Sequence, residues 1–142
     1  MDTTSGNKAG AMIAFVALVI LTLLLGGFSA FVGWNKAMSP LEVLREHSAW
    51  TIHLPVLLGR IVGWLEMASV AALATALVVP RLARWGLAGA AWISANHVVA
   101  AGFHVAYAEW HTLTQSAVVI TLCALWVWLW LGRVKAQGPR PA

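Results

Sequence analysis

The sequence predicts an all-α integral membrane protein: a four-helix bundle with a short interfacial helix in its first outer loop. Three observations predict it. Only 10% of the 142 residues are charged and 61% are hydrophobic, whereas soluble domains carry about 25% charged residues; the mean hydropathy is +0.80. Four apolar stretches each approach the roughly 20 residues that a helix needs to cross a bilayer. The cations between those stretches fall into a pattern that suits an even number of crossings. Residues 1–142 are therefore expected to form a single transmembrane domain, with no room for a soluble catalytic domain. The pI near 10.0 does not point to nucleic acid, because nine scattered Lys and Arg residues are better read as topology signals. Cys123 is the single cysteine and lies in an apolar run, so no intrachain disulfide or Cys-based metal or redox motif is available.

Span one is expected at approximately residues 11–34. That is longer than the roughly 7–15 residues of a signal-peptide core, and Phe28-Ser29-Ala30 is a poor cleavage site. Span two is expected at approximately 57–79, closed by Pro80, span three at 87–108, and span four at 113–131, ending at Gly132-Arg133. Helices rather than strands are required, since each segment must satisfy its own backbone in lipid. Trp126, Trp128 and Trp130 alternate, but in so long a run they read as an aromatic belt at the helix end. Lys8, Arg81, Arg84, Arg133, Lys135 and Arg140 all fall on one side of the four-span arrangement, which places both termini in the cytoplasm. In the first outer loop, Ser39-Pro40-Leu41-Glu42 reads as a capping box that starts a short interfacial helix over approximately 40–48. Leu41, Leu44 and Trp50 would turn toward lipid or protein. Residues 136–142 are expected to be a disordered tail. The Gly59/Gly63 and Ser29/Gly33 spacings suit close helix contact.

Glu66 is the most informative residue. It lies about nine residues, or roughly 13 Å, into span two, where a carboxylate costs about 2.5–3.5 kcal/mol unless it faces the bundle interior with a partner. Two readings stay open: a helix-pairing residue, or a ligand or proton site. His97 and His104 share one face of span three two turns apart, with His97 roughly 16 Å below the outer end at a depth similar to Glu66. The inference is an outward-facing polar pocket lined by Arg60, Glu66, Asn96, His97, His104 and Gln115, with Lys36 at its mouth. Lys36 could snorkel to the interface, neutralise Glu66, or bind an anionic headgroup. Haem is disfavoured because the two histidines share one helix. No specific zinc or iron spacing is present either.

Phe31-Val32-Gly33-Trp34-Asn35-Lys36 at the end of span one resembles the G-x-x-K signature of the DoxX and DoxX-like membrane family. Gly63-Trp64-Leu65-Glu66 in span two resembles its G-x-x-E signature. The length and four-span layout match as well, so the resemblance covers nearly the whole chain. A histidine in span three is also similar, with His97 or His104 as the counterpart; two histidines at this spacing go beyond that pattern. The resemblance implies membrane redox work in some members, including a subunit of thiosulfate:quinone oxidoreductase, and assistance to receptor assembly in a distant animal branch.

Three functions follow as expectations. The first is a membrane subunit of a redox system that binds a quinone or another lipophilic small molecule in the outer-half pocket. It would have no electron carrier and no intrinsic catalysis of its own. The second is a non-enzymatic anchor or assembly partner for another protein. The third is a small proton-coupled transporter, which with so few spans would require a homo-oligomer. The expected setting is the lipid bilayer of a bacterial-type plasma (inner) membrane.

Overall fold

The computed structural model describes residues 3–136. Among them the chain is helical, with no strand. Helix α1 spans Thr3–Met38, α2 Leu41–Glu46, α3 Val56–Val78, α4 Ala83–Ala106 and α5 Leu113–Ala136. Single 3-10 turns at Trp50–His53, Pro80–Leu82 and Trp110–Thr112 join them. The four long helices form a closed ring: α1 packs on α3 and α5, α4 on α3 and α5. Three of them are long and apolar enough to cross a membrane: α1, α3 and α5, the last with its preceding turn. Helix α4 matches them at 24 residues, but Asn96, His97 and His104 lower its hydropathy. Large apolar side chains cover the outside, Leu57 and Trp128 being about 70% exposed (71% and 70%). Such a surface requires lipid, and the chain is a multi-pass membrane protein.

Helix ends follow local chemistry. Helix α1 runs past Trp34 to Met38 and stops before Pro40, because a proline disfavours helical backbone at the residue before it. Val79 is likewise extended ahead of Pro80. The capping box at Ser39 does not form. Pro40 takes the cap position with no side-chain hydrogen bond, and α2 is shorter than the sequence suggests. The Ser39 hydroxyl turns back to donate to Asn35 Oδ1 at 2.9 Å instead. Helix α4 begins four residues earlier than expected, at Ala83, and ends two earlier, at Ala106. Ala108 takes a positive φ of 59°, which lets the Glu109 N–H donate to the His104 carbonyl at 2.8 Å and closes the helix. Gly132 does not end α5, which continues through Ala136; the rest of the expected tail, 137–142, lies outside the described residues.

The interior divides into two halves. Toward the end bearing the chain termini, Leu18, Leu25, Leu73, Ala76, Ala90, Ile93, Val119, Cys123, Trp126 and Trp130 form an apolar core. Toward the end bearing α2 and the α4–α5 connection (the loop end), Lys36, Thr51, Glu66, Asn96, His97 and His104 are buried among apolar residues such as Leu44 and Trp50. The tryptophan belt is corrected here: Trp126 and Trp130, four apart, share the inward face, and only Trp128 faces out. The Trp126 indole donates to Thr22 Oγ1 at 2.8 Å, and that hydroxyl donates to the Leu18 carbonyl at 2.8 Å.

Glycines set two close seams on α3. A Cβ on Gly63 would lie 2.6 Å from both the Ala37 nitrogen and the Gly33 carbonyl oxygen, and one on Gly33 2.8 Å from the Gly63 oxygen. Gly89 would meet the Ser69 carbonyl at 2.7 Å on the α4 side. Gly59, by contrast, faces Thr51 rather than another long helix. Because backbone atoms line these seams, no rotamer change can make room. Gly63→Ala is therefore expected to destabilise the bundle by about 1–3 kcal/mol. Gly27→Ala, with nothing within 4 Å of its Cβ, should leave the thermal midpoint in detergent unchanged or raised; equal midpoints for both variants would contradict the close packing.

Candidate functional site

The seam of Gly33 and Gly63 brings the end of α1 against the first half of α3, and the charged residues follow from it. Lys36 lies one turn beyond Gly33, and Glu66 one turn beyond Gly63. Their side chains therefore meet between the helices, with Lys36 Nζ donating to Glu66 Oε2 at 2.8 Å. Glu66 is 0% exposed and Lys36 only 4%. Of the sequence alternatives for Lys36, the structure shows neutralisation of Glu66, not a position at a pocket mouth. The second carboxylate oxygen, Oε1, accepts from Asn96 Nδ2 on α4 at 2.9 Å. The close seam at Gly89 brings that short side chain within reach. One carboxylate thus joins α1, α3 and α4, and a desolvated ion pair keeps its full attraction only in such a satisfied setting.

The remaining candidates divide. Arg60, on the first turns of α3, donates from Nη1 to the Lys36 carbonyl at 2.8 Å and so satisfies an end carbonyl of α1. Its guanidinium belongs to the frame of the ion pair. His97 is buried beside Asn96, and neither of its ring nitrogens has a partner among the described residues. Its ring lies 6.1 Å, centroid to centroid, from Phe28. His104 is also buried, but its Nδ1 lies 2.7 Å from Glu109 Oε2 in the following loop, so it does not share the Glu66 network. Gln115 is exposed on α5 and stands outside the cluster. Its neighbour Ser116 takes the inward position at 3% exposure, a shift of one residue that turns a side chain about 100° around a helix.

Sequence reasoning missed the roof of the site. The turn Trp50–His53 folds over the ion pair, with Lys36 Nζ 5.7 Å from the centre of the Trp50 ring. Trp50 packs on Phe103 at 5.2 Å, and His53 stacks on Tyr107 at 3.6 Å. Leu44 of α2 is buried too, so α2 and this turn turn toward protein. The Trp50 Nε1, Thr51 Oγ1 and His53 Nε2 atoms are buried without partners among the described residues. Nothing local marks these contacts, since they join a loop to a helix some fifty residues away. Among the described residues no group of three or more His, Cys, Asp or Glu side chains is placed to hold a metal ion.

The ion pair has a measurable consequence. Lys36→Met leaves a buried carboxylate without its cation, a change that costs about 3–5 kcal/mol. Adding Glu66→Gln, which keeps an acceptor for Asn96, is expected to restore more than half of the loss in thermal unfolding. Additive losses in the double variant would show that the two side chains do not interact.

No curated protein and no solved structure matches the chain. The model of the DoxX-like family matches residues 20–127, a stretch that contains Lys36, Glu66, Asn96, His97 and His104. On that match, the chain belongs to the DoxX-like family.

Proposed function

We propose that this protein is a four-span membrane subunit that binds a lipophilic molecule bearing a carbonyl or hydroxyl group, of the quinone class, at His97. One observation carries the reading: His97 is buried, yet both of its ring nitrogens lack partners among the described residues. A neutral imidazole offers one donor and one acceptor, which suits a ring carbonyl or hydroxyl, and leaving such a group unpaired costs about 1–3 kcal/mol. Phe28 beside it supplies an apolar ring face. Glu66 is not the ligand group in this reading, because both of its oxygens are occupied. It holds α3 and α4 so that His97 keeps its position, and a redox partner would supply the electrons.

A second reading, an assembly or anchoring subunit, is favoured by the same occupied Glu66: a carboxylate satisfied within the chain suits a purely structural latch. Purification in gentle detergent that recovers only the bare subunit would count against it.

In this proposal α4 spans with the other three long helices, α2 lies at the outer interface, and both termini are cytoplasmic in a bacterial-type inner membrane. Arg81, Arg84, Arg133 and Lys135 then share the cytoplasmic side. In a Cys123→Ser background, an impermeant thiol reagent on intact cells is expected to label His111→Cys and not Arg84→Cys; the reverse pattern would invert the topology. Decylubiquinone binding, followed by tryptophan quenching, is expected to weaken about five- to thirtyfold in His97→Phe, the loss of one or two hydrogen bonds at about 1 kcal/mol each. Unchanged binding in that variant would remove His97 from the ligand site.

A further inference from the structure

At the opposite end of the molecule the chain builds a second polar feature that the ion-pair site does not use. The Arg133 guanidinium on α5 lies 4.5 Å from the centre of the Phe15 ring on α1 and 5.8 Å from that of Trp130. It is sandwiched at the α1–α5 seam, where cation–π attraction holds it. Arg133 Nη1 and Trp130 Nε1 are both buried and have no partner among the described residues. Trp130 is 97% buried (3% exposed) and stacked on Trp126 at 5.1 Å and 8°, so its indole N–H is fixed in direction. The neighbouring Trp126 N–H is satisfied by Thr22; the Trp130 N–H is not. The cluster therefore holds two kinds of N–H donor and lacks an acceptor.

The missing acceptor is anionic by charge balance. The described acidic residues Glu42, Glu46, Glu66 and Glu109 all lie toward the loop end, and none forms an ion pair with Arg133. Arg84, lying over Trp85 at 5.7 Å, and Lys135 raise the positive potential of the same end. Phe15 is 38% exposed and Arg133 is part-buried near the end of α5, so in a bilayer the sandwich would stand open at its rim near the headgroup level. An acceptor tethered to acyl chains reaches that depth; a soluble ion must desolvate to do so.

We infer that Phe15, Trp130 and Arg133 form a binding site for the phosphodiester of an anionic phospholipid in the leaflet on the terminal side. The guanidinium supplies charge and paired donors, the indole N–H a further donor, and the two rings the apolar walls. Basic clefts between membrane helices bind such headgroups.

The test uses the full chain in detergent. Phosphatidylglycerol and phosphatidylcholine of matched acyl chains are titrated, and bound lipid is read by native mass spectrometry. Phosphatidylglycerol is expected to bind at least about fivefold more tightly, the equivalent of one cation at the membrane surface. Arg133→Gln is expected to abolish the preference. Trp130→Phe, which keeps the stacked ring and removes only the N–H, weakens it about two- to threefold. Lys135→Gln retains it. A preference that survives Arg133→Gln overturns the proposal. So does one lost equally in Lys135→Gln, which would mean a diffuse surface potential, or one displaced by millimolar inorganic phosphate, which would mean a soluble-anion site. Should Arg133→Gln fail to fold, Trp130→Phe decides: an unchanged preference in that variant also overturns it.

Discussion

A buried carboxylate in a lipid-facing bundle must be neutralised and its lone pairs occupied, and most of the upper half of this molecule follows from that requirement. Lys36 meets one oxygen of Glu66 and Asn96 the other. To reach Glu66 from α1, the lysine needs the backbones of α1 and α3 closer than ordinary side chains allow, which is why Gly33 and Gly63 face each other. To reach it from α4, the short asparagine needs the second seam at Gly89. Arg60 completes the frame by taking the Lys36 carbonyl. Removing Lys36 or Asn96 would leave an oxygen of a fully buried carboxylate without its partner.

The same requirement explains how the interior is divided. The terminal half is filled by an apolar core, into which the Trp126 indole fits by donating to Thr22. The loop half concentrates ionisable and hydrogen-bonding groups under the Trp50–His53 turn. A polar interior whose members are all satisfied is a fastening; one with members left over has capacity for something else. Glu66, Lys36 and Asn96 belong to the first kind, and His97, with Trp50, Thr51 and His53 of the roof, to the second. Family membership sets the scaffold and leaves the function to such leftover groups.

Much of the fold was legible because the governing signals are local. Runs of apolar residues gave the long helices and Pro80 the end of α3, while the Gly59/Gly63 and Ser29/Gly33 spacings pointed to close contact without showing that Gly33 and Gly63 are the two that meet. Of the site, Glu66, Asn96 and His97 were placed together by depth counting, since a fixed rise per residue converts position into height. Depth counting carries no rotational information across helices, and there it failed. Gln115 was taken for an inward residue where Ser116 points in, and His104 for a member of the cluster where Glu109 binds it. The tryptophans of α5 were read as a belt because their alternation is visible, although helical geometry sends two of them into the core.

By itself, then, the sequence determined the solvent this protein lives in, the number and approximate position of its long helices, and the level at which charge is buried. These are properties of composition and of intrahelical hydrogen bonding, which depend only on neighbours along the chain. Tertiary structure alone decided that Lys36 turns inward to pair with Glu66 instead of reaching for the interface, and that the Trp50–His53 turn roofs the pair. It also decided that, beside the ion pair, Glu66 is satisfied while both ring nitrogens of His97 are left without partners among the described residues. Those outcomes depend on the rotation of each helix about its axis and on distances between backbones far apart in sequence, set by which glycines face which carbonyls.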